Sequence, residues 1–167
     1  PRPPPTTEPA RAEPTTPARG PAVALEPTGA SASRFLTEGR VAHDASRAFD
    51  GNPGTTWAVR DAVLGEDWLE ATFATPVRVE RVWIGTGYDH RSRRGTDLFV
   101  ANAHLARVAI ETDADRSTHE VGPEARSIEV PLGGVETRRL RLVIEAVHPG
   151  ERWQDTCVNE VRLYGHP

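Results

Sequence analysis

Residues 67–84 read DWLEATFATPVRVERVWI. Leu69, Ala71 and Phe73 alternate with Glu70 and Thr72 as far as the breaker Pro76. Side chains of a strand point to opposite faces in turn, so this alternation buries one row and leaves the other to solvent. Beyond the proline, Val77 and Val79 keep one parity and Val82 and Ile84 take the other. A change of parity inside a strand requires an extra residue on one side, which predicts a bulge near Glu80 or Arg81.

The same period extends in both directions. Val108 and Ile110 alternate in ARVAIETD before a turn at Asp113 to Asp115. Ile128, Val130 and Leu132 alternate in SIEVPLGG, which is expected to stop at Gly133 and Gly134. Leu140, Leu142 and Ile144 alternate with Arg139, Arg141 and Glu145, and VNEVRLYG supplies a final strand. Only HDASRAF, residues 43–49, can make a helical turn. Seven or so short strands with one turn of helix predict an all-β chain, an antiparallel sandwich or jelly roll, and argue against an α/β enzyme.

Composition bounds the remainder. Residues 1–27 hold nine of the 15 prolines and no aromatic residue, so they are expected to be a disordered, partly polyproline-II linker ahead of a folded domain over 28–167. A folded part of about 130 residues buries roughly two-thirds of the surface its unfolded chain exposes, enough for its own core. The linker texture fits a stalk outside the cell or, alternatively, an intracellular spacer. The chain starts at Pro1 and reads as a fragment or processed product. All 20 basic residues are arginine and methionine is absent, the coding bias of a GC-rich, for example actinobacterial, genome. The net charge of −4 is interspersed, which argues against nucleic acid as a partner. No apolar run is long enough to span a membrane, and a monomeric domain is expected.

Motifs for catalysis are few. Cys157 is the single cysteine, so there is no intrachain disulfide, and it reads as a small buried hydrophobe. GTG at 85–87 lacks the third glycine and following helix of a dinucleotide site. The six histidines lack metal-ligand spacing and read as solvated loop residues. No nucleophile elbow or recognisable acid–base pair is present, so an enzyme is the weaker reading; a hydrolase site from Asp61, Glu66 and Asp67 stays open.

AFDGNPGTTW, residues 48–57, admits two readings. Asp-Gly and Asn-Pro form turns, with Glu160 simply solvated. Alternatively Asp50, Asn52 and Thr55 offer oxygen ligands to calcium, with Glu160 of the last strand as a second carboxylate. The EF-hand pattern fails at Gly54. For ligand binding, YDHRSRRGTDLFVANAH (88–104) supplies Tyr88, His90, Arg93 and Asn102, and HPGERWQDTC (148–157) supplies Trp153 as an exposed platform or, by slight preference, a lid on the core. Aromatic faces cover the C–H side of a sugar while arginine and amide groups fork onto its hydroxyls. A plain solvated loop fits the first segment equally well.

AFDGNPGTTW, DWLEATFATPVRVERVWI and DTCVNEVRLYG together resemble the discoidin-like, galactose-binding-like jelly rolls, among them the coagulation-factor C-type and family-32 carbohydrate-binding modules. GYDHRSRRGTDLFVANAHLARVAIE and VIEAVHPGERWQDTCVNEVRLYG resemble the NADase-type glycan-binding domain, over about residues 28–165. The resemblance implies two facing antiparallel sheets without chemistry of their own, and a glycan ligand on a cell wall or another cell. It implies a structural calcium at Asp50, Asn52, Thr55 and Glu160. Ala58 follows Trp57 where a Trp-His pair would favour galactose. The rival expectations are recognition of another protein and service as the accessory domain of an upstream kinase, hydrolase or toxin.

Overall fold

The computed structural model describes residues 20–167. Most of the Pro-rich segment therefore lies outside the described residues. Its last part does not: β1 (Val23–Leu25) pairs antiparallel with the terminal strand β11 (Val161–His166). The expected linker boundary at residue 27 is corrected by this strand. Three apolar residues between prolines suffice for an edge position, because an edge strand needs a ladder on one side only.

The decisive stretch is β6 (Trp68–Gly85), with Leu69, Ala71, Val79, Val82 and Ile84 fully buried. Against β11 it places Arg81 and Val79 opposite the consecutive Tyr164 and Gly165, so Glu80 is the bulged residue, and its register against β9 (Ser127–His148) shifts at the same place. A second irregularity between Thr72 and Val77 surrounds Pro76, which has no N–H to give a ladder. The two halves of β6 consequently serve different neighbours. Trp68–Thr72 pairs with β2 (Gly29–Ala32) and with the later part of β9, whereas Val77–Gly85 pairs with β11 and the earlier part. β7 (His104–Glu111) and β8 (Arg116–Glu120) extend the sheet beyond β9.

The sequence expectation of two strands within 127–145 is corrected: β9 runs through Gly133 and Gly134 without stopping. Both glycines have positive φ, 66° and 76°, so the pair is a bulge opposite Glu80 and no turn. Side chains from both halves of the folded-over sheet share one core, including Leu69, Val82, Ile84, Val108, Ile110, Leu140, Ile144 and Leu163. The architecture is the expected antiparallel β-sandwich.

Two small sheets complete it. β5 (Trp57–Arg60) pairs with β10 (Asp155–Val158), and a hairpin joins β3 (Thr37–Glu38) to β4 (Val41–Ala42) around Gly39. Trp57 is buried and donates its indole N–H to the Arg34 carbonyl at 3.0 Å. A 3-10 turn forms at Ala45–Ala48 as expected, capped by Asp44. A second short helix, α1 (Leu98–Ala101), was not anticipated; Asp97 caps it by accepting from the Phe99 N–H.

Candidate functional site

A cleft of about 510 Å³ lies over the β5–β10 sheet. Ala58, Asp155 and Cys157 line it from the sheet, Thr56 from the residue before β5, Leu36, Glu38, Val41 and His43 from the hairpin side, and Tyr88, Leu98 and Asn102 from the 88–102 segment. Trp153 stands at its rim, 41% exposed, with the Arg152 guanidinium 4.6 Å from its ring centroid. The expected lid on the core is thus corrected to the alternative, an exposed platform. The backbone N–H groups of Glu151, Arg152 and Trp153 donate to the Val100 and Ala101 carbonyls of α1, which fixes the backbone that carries the indole.

Of the candidate ligand residues, Tyr88, Asn102 and Trp153 come together here. The Tyr88 hydroxyl donates to the Gly54 carbonyl at 2.8 Å, and burial raises its phenol above the ordinary value. Asn102 ends α1 and spends its amide N–H on the Leu98 carbonyl at 2.8 Å. His90 and Arg93 are not brought to the cleft. His90 stacks on Tyr88 with centroids 5.7 Å apart and lines a separate hollow with Asp89, Arg91, Asp97 and Arg126. Arg93 sits exposed on the turn closed by Ser92 and Gly95.

Arg126 organises that segment by donating to Asp89 at 2.6 Å and to Asp97 at 2.7 Å while covering Phe99. Its hydrogen bonds hold the Asp97 carboxyl below the usual carboxylate range. The loop is thus fastened through Asp89 and Asp97, while its Arg93 and Arg94 stay exposed.

Sequence reasoning missed Glu38, His43 and Asp155. Glu38 and His43 approach at 3.4 Å, and Asp155, largely buried, pairs with Arg60 at 3.2 Å. Nor are all histidines solvated: His104 is buried between Phe99 and His148, with Nε2 at 3.0 Å from the Pro123 carbonyl. Cys157 is buried as expected, and burial, with Asp155 adding, pushes its thiol up to about 12. That excludes a thiolate nucleophile near neutral pH.

The loop carboxylates Asp61, Glu66 and Asp67 do not assemble an acid–base site. Burial alone would raise the Asp67 carboxyl, yet Arg34, the Val63 N–H and Ser33 together hold it below its ordinary value. Asp67 ties loops together, and Asp61 and Glu66 are exposed.

The AFDGNPGTTW loop gathers oxygens. Thr55 Oγ1 lies 2.8 and 3.0 Å from the two Asp50 oxygens, 2.8 Å from the Asn52 carbonyl and 3.4 Å from the Arg47 carbonyl. One hydroxyl proton can serve only one of these four acceptors. The Asn52 side chain turns away to accept from the Gly54 N–H, so this residue offers its carbonyl and not its amide. Glu160 shares a hollow of about 230 Å³ with Asp50. It is 4% exposed, and its Oε2 has no hydrogen-bond partner among the described residues. Burial raises the Glu160 carboxyl, and Asp50 and Glu26 add to the effect against Arg162 and the Gly51 N–H. Among the described residues no three His, Cys, Asp or Glu side chains converge, so the donor set is two carboxylates with carbonyl and hydroxyl oxygens. Such a set suits a hard cation and not zinc.

A bent antiparallel sandwich carrying its cleft beside an oxygen-rich loop is a discoidin-like module. The profile of the NAD glycohydrolase translocation F5/8 type C domain matches residues 25–164, and the chain belongs to that family. No curated protein matches it. Among solved structures it is similar to the family 32 carbohydrate-binding module of Clostridium perfringens NanJ in complex with galactose (TM-score 0.65, 17% identity, 86% of this chain and 98% of that one). It is also similar to a fucose-binding module of Streptococcus pneumoniae (TM-score 0.58, 15% identity, 87% and 99%). A third is a chitosan-binding module from a Paenibacillus chitosanase/glucanase (TM-score 0.60, 20% identity, 88% and 100%). Among the described residues no helix is long and apolar enough to cross a membrane.

Proposed function

We propose that the domain is a non-catalytic carbohydrate-binding module that recognises cell-wall or cell-surface glycans outside the cell and targets an attached protein to them. The observation that carries this reading is the cleft itself: two aromatic rings, Tyr88 and Trp153, border a sugar-sized space whose other groups include Glu38, His43 and Asn102. Aromatic faces cover C–H surfaces and the polar groups fix hydroxyls. The galactose, fucose and chitosan named for its structural neighbours support the ligand class.

Calcium belongs to the same proposal. Asp50, Thr55, Glu160 and the Arg47 and Asn52 carbonyls would hold the ion, which supplies the positive charge that the unpartnered Glu160 oxygen and the surplus of acceptors around Thr55 require. A glycan array probed with the full chain tests the ligand class. Binding to at least one carbohydrate class is expected; a folded protein that binds none overturns the reading.

A further inference from the structure

We propose that the cleft accepts an amino sugar bearing a free ammonium group, a reading that rests on the glycan-binding function proposed above. Among the described residues Glu38 and Asp155 are the two carboxylates lining the cleft, and no arginine lines it, although the chain carries 20. One guanidinium already pairs with Asp155, which leaves Glu38, among the described residues, as the cleft carboxylate without an arginine on it. Arg60 sits on Asp155 with its own side chain 61% exposed, and Arg152 stacks on the Trp153 ring.

The two carboxylates differ in a useful way. Asp155 is only 12% exposed at its side chain and has a single ion-pair partner, so it is largely stripped of water. Glu38 is 58% exposed and meets only His43. Burial is the main cause of the raised Tyr88 phenol and Cys157 thiol; Asp155 and then Glu38 add to it at Cys157, and at Tyr88 Glu38 adds to it against Arg47. A ligand entering here meets the exposed Glu38 carboxylate and the Arg60-paired Asp155 between the rings of Tyr88 and Trp153.

An ammonium group satisfies each part of this environment. It donates to carboxylates with charge assistance, and it is attracted to the negative face of an indole or phenol ring. A sugar carboxylate would be repelled, and a neutral hydroxyl or acetamide recovers little of the electrostatic gain. The pyranose ring keeps its C–H face for Trp153 while the amine is directed at Glu38 and Asp155.

The test is titration calorimetry of the full chain with three β-1,4-linked tetrasaccharides: glucosamine, its N-acetylated counterpart and the unsubstituted glucose oligomer. The glucosamine oligomer is expected to bind about tenfold tighter than either neutral one, the sum of partly screened charge contacts and a cation–π contact. That advantage should shrink as salt is raised. Glu38→Gln, at an exposed position where folding is not at stake, should cut the ratio to about threefold or less. Equal or tighter binding of a neutral oligomer overturns the ammonium inference and leaves glycan binding standing. Displacement by free lysine or choline as readily as by the oligomer also overturns it, since the cleft would then read a bare cation. Failure of all three oligomers, together with an empty glycan array, removes both readings.

Discussion

Glu160 is where the calcium proposal stands or falls. It is a buried carboxylate with one oxygen unpartnered among the described residues, in a hollow shared with Asp50. An unsatisfied buried polar atom costs about 1–3 kcal/mol. The sign of the pH effect follows from its raised carboxyl. Below the ordinary carboxylate range Glu160 is protonated in both folded and unfolded chains and exacts no charge penalty. As pH rises past the unfolded value the unfolded chain ionises first, and stability falls until the raised folded value is passed. In chelator, therefore, the parent loses stability through this group between those two values, and Glu160→Gln should be at least as stable as the parent at pH 7. Calcium at about a hundred times its Kd should add about 2.7 kcal/mol to the parent. At about 2–4 °C per kcal/mol for a chain of this size, Tm rises by about 5–11 °C. Glu160→Gln should gain little of this. Differential scanning calorimetry with calcium and with chelator reads both quantities. A parent whose Tm ignores calcium, with Glu160→Gln less stable than the parent in chelator, would refute the reasoning and make Glu160 an ordinary part of the fold.

Trp153→Ala should weaken glycan binding by about 5- to 30-fold, about 1–2 kcal/mol, because the indole rims the cleft. Calorimetry should find Tm nearly unchanged, since the ring is exposed. Cys157 should resist iodoacetamide at pH 8 for hours in the folded chain and react on unfolding, given a buried thiol pushed up to about 12; rapid labelling of native protein counts against that. Arg126→Ala should cost about 1 kcal/mol or less, since the guanidinium is partly exposed. The Asp97 carboxyl is held low by Arg126, so this contribution is present above the ordinary carboxylate value and disappears as pH falls through the lowered one. Thermal melts of parent and variant should converge in acid, and a constant difference at all pH would contradict the ion pair.

What the residues disclosed was whatever depends on neighbours along the chain. The parity change between Val79 and Val82 marked the Glu80 bulge because alternation is a local property. Asp50 and Glu160 share a hollow, though Glu160, expected on the last strand, sits in the connection just before β11. Gly133–Gly134 misled because positive φ at two glycines serves a turn and a bulge alike. The hairpin of β3 and β4 gives two residues per strand, too few for any period, so Glu38 and His43 stayed hidden. Trp153 could not be placed from sequence, because its exposure is set by α1, which fixes its backbone from a distant segment.

The oxygen-rich loop and the cleft cannot be treated as independent, although the sequence separates a structural turn from binding loops. Gly54, inside the loop, accepts the Tyr88 hydroxyl at 2.8 Å, and Thr56, at its end, lines the cleft with its carbonyl 3.3 Å from His43 Nδ1. Movement of the loop therefore moves the aromatic wall and the His43 side at once. An ion that orders Asp50 to Thr55 would spend part of its binding free energy on positioning Tyr88, so the ligand would meet a wall already ordered. Coupling of this kind is reciprocal: whatever factor calcium adds to the affinity for glycan, glycan must add to the affinity for calcium. The Tyr88–Gly54 hydrogen bond thus joins the loop proposed to hold a metal to the cleft proposed to hold a glycan.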